Sequence, residues 1–177
     1  MMSNDEIIAL IRNTDNIIGL NVDGAVFKNL DFTHKRFYNC CFRNCTFSNL
    51  QASKARLRMA VVEFCTFTDC QLGDVNIQFS SFSGSSFIRT TFTNSNIKKC
   101  NFNGIQAKET VFDDSDLYTT LFIQANLHNT TFKNCNLKKA CFYRSIQENV
   151  TFKGSNTREA RFDAKDKGIL EFGGIEL

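Results

Sequence analysis

The stretch Cys40-Cys41-Phe42-Arg43-Asn44-Cys45-Thr46-Phe47-Ser48-Asn49 repeats one five-residue phrase twice, with phenylalanine in the middle of each copy and asparagine at its end. Working outward in steps of five, the central column reads Phe27, Phe32, Phe37, Phe42, Phe47, Ala52, Leu57, Val62, Phe67, Leu72, Ile77, Phe82, Phe87, Phe92, Ile97 and Phe102. It continues in the same frame to Phe162, with no insertion or deletion. Two residues before each central position lies a second column of small or compact side chains, including Ala25, Cys40, Cys45, Ala55, Ala60, Cys65, Cys70, Ser80, Ser95, Cys100, Ala125, Cys135 and Ala160. Residues two apart share a face of an extended strand, so a large and a small group at that separation both point inward. The other three positions of each five are mostly Asn, Thr, Ser, Lys, Arg, Asp and Gln, which belong in water.

This period excludes a helix. Five residues advance by roughly 500° around an α-helix, which would scatter the phenylalanines over every side. A flat sheet fails as well, because strict alternation does not survive an odd period. What remains is a short extended piece, a turn, another short piece and another turn, each contributing one large residue to a common axis. Composition agrees: the 177 residues include 19 Phe against 3 Tyr and no Trp or Pro, so one kind of core site is filled repeatedly.

Units such as Cys40-Cys41-Phe42-Arg43-Asn44, Cys45-Thr46-Phe47-Ser48-Asn49 and Ala125-Asn126-Leu127-His128-Asn129 resemble the pentapeptide-repeat family, and the resemblance runs from about Val22 to Phe162. It implies an all-β fold, a right-handed quadrilateral β-helix in which four pentapeptides form one square coil. About seven coils at the ordinary interstrand spacing of about 4.8 Å would make a rod about 34 Å long. Residues 17–166 are expected to form this solenoid. Residues 1–16 are expected to cap it with a short helix, because Ser3 and Glu6 form a capping-box pattern ahead of the apolar stripe Ile7, Ile8, Leu10 and Ile11. Residues 167–177 form a tail whose Ile169-Leu170-Glu171-Phe172 segment could add a strand, cover the end or pair with another molecule.

Groups that carry catalysis are missing from the pattern. A filled axis leaves convex walls, there is no glycine-rich phosphate loop or nucleophile elbow, and His34 and His128 fall at outward positions on different walls. No enzymatic activity, small-molecule substrate, cofactor or metal is expected. The spacings Cys40 to Cys45 and Cys65 to Cys70 equal the repeat, so these cysteines are read as inward packing residues, whereas Cys41 and Cys141 precede a phenylalanine and point outward. The acidic start Ser3-Asn4-Asp5-Glu6, the short apolar run Ile7 to Ile11 and the 8 cysteines without a secretory signal read as a cytoplasmic chain that does not insert in a membrane.

If every fourth unit stacks, residues twenty apart share a wall. One wall collects Arg36, Arg56, Arg58, Lys98, Lys99, Lys138, Lys139 and Arg158 with Tyr38 and Tyr118 among them, against the few acids Asp116 and Glu159. Such a ridge on a chain of net charge +3 would attract phosphates or an acidic protein surface. The next wall carries the outward apolar residues Val61, Phe64, Leu121, Ile123 and Tyr143, a candidate contact for a second copy or another protein. The leading functional expectation is a non-enzymatic binding scaffold presenting a rigid surface to a macromolecular partner. Nucleic-acid or other anion binding through the basic wall is the alternative. The family resemblance also raises DNA mimicry that protects type II topoisomerases, which the net positive charge disfavours.

Overall fold

The computed structural model describes residues 2–163; the tail 167–177 lies outside the described residues. The chain opens with a helix at Asn4–Asn13, capped by Ser3, whose hydroxyl accepts from the Glu6 amide while Glu6 returns a bond of 2.7 Å from the Ser3 amide. Its apolar stripe buries Ile7 and Ile11 against the first coil. The helix also closes the first edge of the solenoid. The Asn4 side chain accepts from the Val26 amide at 2.9 Å and donates to the Val26 carbonyl at 3.1 Å, as a neighbouring strand would.

Beyond the helix the chain winds through about seven turns of a right-handed parallel β-solenoid with four faces. Pairing is parallel with a register of twenty residues, as in Arg36↔Arg56, Phe42↔Val62 and Phe47↔Phe67. The first face begins with Asn16–Ile18 and the second with Asn21–Asp23. The third begins with Val26–Lys28, and the fourth is held by single bridges from Asp31↔Gln51 onward. The second face changes character partway down. It is extended through Val61–Glu63 and then continues through single bridges such as Val61↔Ser81 and turns such as the one closed by Ser85 N–H to Phe82 O at 3.1 Å.

The phenylalanine columns stack at the strand spacing. On the third face Phe27, Phe47 and Phe67 lie 4.9 and 4.6 Å apart with nearly parallel rings, and on the second Phe82, Phe102, Phe122 and Phe142 follow at 4.8, 5.3 and 4.9 Å. Between columns the rings meet edge to face, as Phe122 does with Phe132 at 5.3 Å and 81°. The column weakens in one coil. Around Ala52, Leu57 and Val62 the smaller side chains leave a cavity of about 50 Å³ between Phe42, Phe82 and their neighbours.

The small inward column explains its own composition. Its hydroxyls and thiols donate to carbonyls of the preceding coil, with Ser115 Oγ to Phe92 O at 2.7 Å, Thr120 Oγ1 to Ile97 O at 2.7 Å and Cys135 Sγ to Phe112 O at 3.2 Å. Serine also accepts from the amide above, as Ser85 Oγ does from Cys65 N at 3.0 Å. Cysteine, serine and threonine are therefore alternatives for one task, a compact group that ties coils together. Burial pushes the thiol pKa of Cys100 up to about 11 and that of Cys135 up to about 12. Cys41 is half-buried, but Cys141, expected to face outward, is buried, in register between Leu121 and Arg161 of the adjoining coils.

Each unit ends in a corner residue with φ near +55°, where Asn, Asp and Gly are at home: Asn39, Asn44, Asn49, Asp69, Asn94 and Asn129 are examples, with Gly24 and Gly104 at other corners. Three corners hold large apolar residues instead, Met59 (φ 54°), Phe64 (φ 55°) and Phe79 (φ 51°).

Candidate binding faces

Both candidate surfaces are set by the square register, which places consecutive outward residues about 4.8 Å apart along the rod. On the first face Arg36 lies directly above Arg56, and Tyr38 directly above Arg58. The next corner column brings Met59, Phe79 and Lys99 alongside them. The preceding corner adds His34 and Lys54, so His34, Arg36, Lys54 and Arg56 line a groove of about 420 Å³. Its remaining walls are Asp74, Asn76, Asn94 and Asn96. Sequence reasoning had not joined His34 and Lys54 to this cluster, because they precede the face and belong to it only through the corner geometry.

The basic wall divides into two parts. In the lower part Lys98 meets Asp116 at 2.7 Å, and Lys138, Lys139 and Arg158 share Glu159 at 3.8, 3.5 and 3.5 Å. Asp116 also accepts from the Asn136 amide at 3.0 Å and from the Tyr118 backbone amide at 3.2 Å, which fixes Tyr118 beside a neutralised stretch. In the upper part Arg36, Arg56, Arg58 and Lys99 form no ion pair among the described residues. Arg36 reaches only the Asn16 side-chain amide oxygen, Oδ1, at 3.5 Å. Like charges directly opposite on neighbouring strands repel. Two acids lie near the upper cluster, Asp74 at the groove's edge and Asp15, which is held by Lys35 at 2.9 Å and also feels the Arg36 charge, and neither forms an ion pair with these arginines.

The second face carries the apolar set. Phe64 is 62% exposed and Tyr143 48%, while Val61, Leu121 and Ile123 are half-buried. Val61 and Leu121 line a shallow groove of about 510 Å³ together with Met59, Phe79, Ser81, Lys99, Asn101 and Thr119. Ile123 shares the coil of Leu121 but lies outside the groove's lining, and Tyr143 stands one coil further on, packed under the Arg144 guanidinium at 5.2 Å. The structure therefore gathers Val61 and Leu121 with residues not singled out in the sequence, Met59 and Phe79, and leaves Phe64, Ile123 and Tyr143 outside the groove. The missed signal was present: an apolar residue at the fifth position of a unit, where Asn or Asp is usual.

Among the described residues no three potential metal ligands converge, and no helix is long and apolar enough to cross a membrane. His34 is exposed, and His128 Nδ1 lies 3.0 Å from Glu148 on the third face.

Comparison with known proteins accords with this architecture. Among solved structures, a trypsin-treated variant of QnrB1, a plasmid-mediated fluoroquinolone resistance protein, superposes with a TM-score of 0.52 at 17% identity, covering 92% of this chain and 99% of that one. A second trypsin-treated QnrB1 variant gives 0.51 at 17% identity, with 91% and 99% covered. The pentapeptide-repeat protein Rfr23 from the cyanobacterium Cyanothece 51142 gives 0.43 at 9% identity, with 91% and 100% covered. A search of curated proteins finds no match. Family profiles match residues 16–49 as pentapeptide repeats and residues 85–162 as a pentapeptide repeat region, together well over half of the sequence, and the chain belongs to the pentapeptide-repeat family.

Proposed function

We propose that this protein is a non-enzymatic binding scaffold that presents the upper first face to an anionic macromolecular surface. The observation that carries the reading is the stack of Arg36 over Arg56, with Arg58 beside them, three exposed guanidinium groups without a carboxylate partner among the described residues. Guanidinium is weakly hydrated and forks onto carboxylate or phosphate, so an anion docking here both satisfies the donors and relieves their repulsion. The rigid parallel ladder fixes the spacing of the donors before binding, which lowers the ordering cost.

A protein carboxylate surface is favoured over nucleic acid, because the lower half of the same wall is neutralised by Asp116 and Glu159 and does not continue a cationic track. Tyr38 supports the nucleic-acid alternative, since it borders Arg56 and Arg58 and offers a ring for stacking. DNA mimicry is not proposed: its surface would be acidic, and the exposed charge of the first face is basic. Eight free cysteines support a reducing compartment, the cytoplasm.

The test is association with poly-L-glutamate and with a single-stranded oligonucleotide at low and raised salt, using the wild type and an Arg36→Glu/Arg56→Glu variant. Salt-sensitive binding of polyglutamate that the double variant abolishes is expected. Absence of any association at low salt refutes the proposal, and a preference for the oligonucleotide transfers it to nucleic acid.

A further inference from the structure

The groove on the second face adjoins the cation cluster, and its rim is made of residues that the backbone does not favour. Met59, Phe64 and Phe79 are the large apolar residues among the described corners, and all three border one short segment of the rod. Each holds the left-handed conformation that L side chains with bulk resist and that Asn or Gly adopts readily. None gains burial in return, since they are 60%, 62% and 50% exposed. Burial therefore does not account for them.

Their arrangement does. Phe79 and Met59 stand at the corner between the first and second faces, and Phe64 stands at the opposite corner of the second face. Between them the floor is low: Ser81 and Ser83 follow Val61 and Glu63, and Ser81 is tied down by a hydrogen bond to Glu63 at 2.7 Å. On the far side the Phe64 ring lies across Gly84, where a Cβ would sit 2.6 Å from it. The groove descends past Asn101 to Leu121, three register steps or about 14 Å. Along its first-face rim the Arg58 guanidinium lies 5.9 Å and the Lys99 ammonium 5.3 Å from the centre of the Phe79 ring. The apolar floor and the unpaired cations thus form one continuous surface.

We infer that this corner groove binds an extended segment of a partner protein in which apolar side chains alternate with carboxylates. The apolar groups seat against Met59 and Phe79 over Val61 and Leu121, and the carboxylates meet Arg58 and Lys99, with Arg36 and Arg56 beyond. The inference rests on the proposed binding role of the first face and names its partner. Nucleic acid fits the groove less well, since Arg58 and Lys99 already lie against the Phe79 ring that a base would need and Val61 and Leu121 offer nothing to a phosphate.

The test uses the full chain and a fluorescent peptide alternating glutamate with leucine and phenylalanine. Poly-L-glutamate, a lysine-for-glutamate version of the peptide and a single-stranded oligonucleotide serve as comparators. Phe79→Asn and Met59→Asn place the favoured corner residue in each position, so the melting temperature is expected to hold or rise while peptide affinity falls about tenfold or more. Polyglutamate binding is expected to survive these changes and to fail in Arg36→Glu/Arg56→Glu. If the amphiphilic peptide binds no better than polyglutamate, or binds the asparagine variants as well as the wild type, the groove is not its site and the proposed role of the first face stands alone. If neither acidic probe binds, both readings fall. Tighter binding of the oligonucleotide, or self-association lost in Phe79→Asn, overturns the choice of partner in favour of nucleic acid or a second copy.

Discussion

Replacing Phe122 by alanine removes a ring that is fully buried and touched by aromatic partners on both sides along the axis and across it. Phe102 and Phe142 stack at 5.3 and 4.9 Å, and Phe112 and Phe132 meet it edge to face at 5.7 and 5.3 Å. Loss of the transfer free energy plus the cavity left in a core that cannot collapse places the change near the upper end of the usual 3–5 kcal/mol. The lost ring pairs add to it. For a chain of this size that corresponds to a fall in melting temperature of about 8–20 °C. Phe162 is the internal control. It stacks on Phe142 at 5.0 Å and touches Phe152 at 5.3 Å, is only partly buried, and should cost about 1–2 kcal/mol when truncated. Thermal unfolding followed by far-ultraviolet dichroism, repeated with urea at fixed temperature, measures both variants. Equal losses at the two sites, or a loss below about 1 kcal/mol at Phe122, would refute the stacked-column account of stability.

Further outcomes follow from other parts of the rod. Val62→Phe, which would extend the second-face column into the 50 Å³ cavity between Phe42 and Phe82, is expected to stabilise the fold by about 1 kcal/mol in urea titration; destabilisation would show that the coil cannot admit a ring. Gly84→Ala is expected to cost about 1–2 kcal/mol, because φ is +67° and the new methyl would meet the Phe64 ring, and Phe64→Asn in the same chain should recover part of that loss. Iodoacetamide at mild alkaline pH should modify the half-exposed Cys41 well before Cys100 or Cys135, whose pKa values burial raises, and mass spectrometry of the native protein reads the order. Hydrogen bonding lowers the carboxyl pKa of Glu6 (to Ser3), Asp15 (to Lys35) and Asp69 (to Arg89). Their contributions should therefore be complete above the ordinary values of 4.5 and 3.8 and be lost as pH falls below them, visible as an acid-side drop in melting temperature that Asp69→Asn reduces.

The architecture was legible because a single rule, one large inward residue every five, fixes face, register and spacing together. Once Phe42, Val62 and Phe82 are known to share a column, the stacking of Arg36 on Arg56 follows by counting. The helix start at Ser3 was also legible, since a capping box is a local signal. What counting could not supply was pairing. Whether Lys98 is free or held by Asp116 depends on side-chain rotamers in the following coil, and the shared use of Glu159 by Lys138, Lys139 and Arg158 has the same origin. Corners were underread too. Phe79 sits beyond the outward pair of its face, and only the positive φ shows that it turns onto the neighbouring side to border Val61. The burial of Cys141 likewise depends on its neighbours in the adjoining coils, Leu121 and Arg161, rather than on its place within the unit.

The unbroken frame makes the rod a rotary device on the scale of inheritance. Losing or gaining one unit turns everything downstream by a quarter revolution relative to everything upstream, while the interior still receives an apolar group at each step. A single such event could carry Lys99 away from Phe79 and bring a different side chain to that rim without remaking the axis. Surface combinations can thus be dialled in discrete clicks, and a change that is not a whole number of units jams the mechanism.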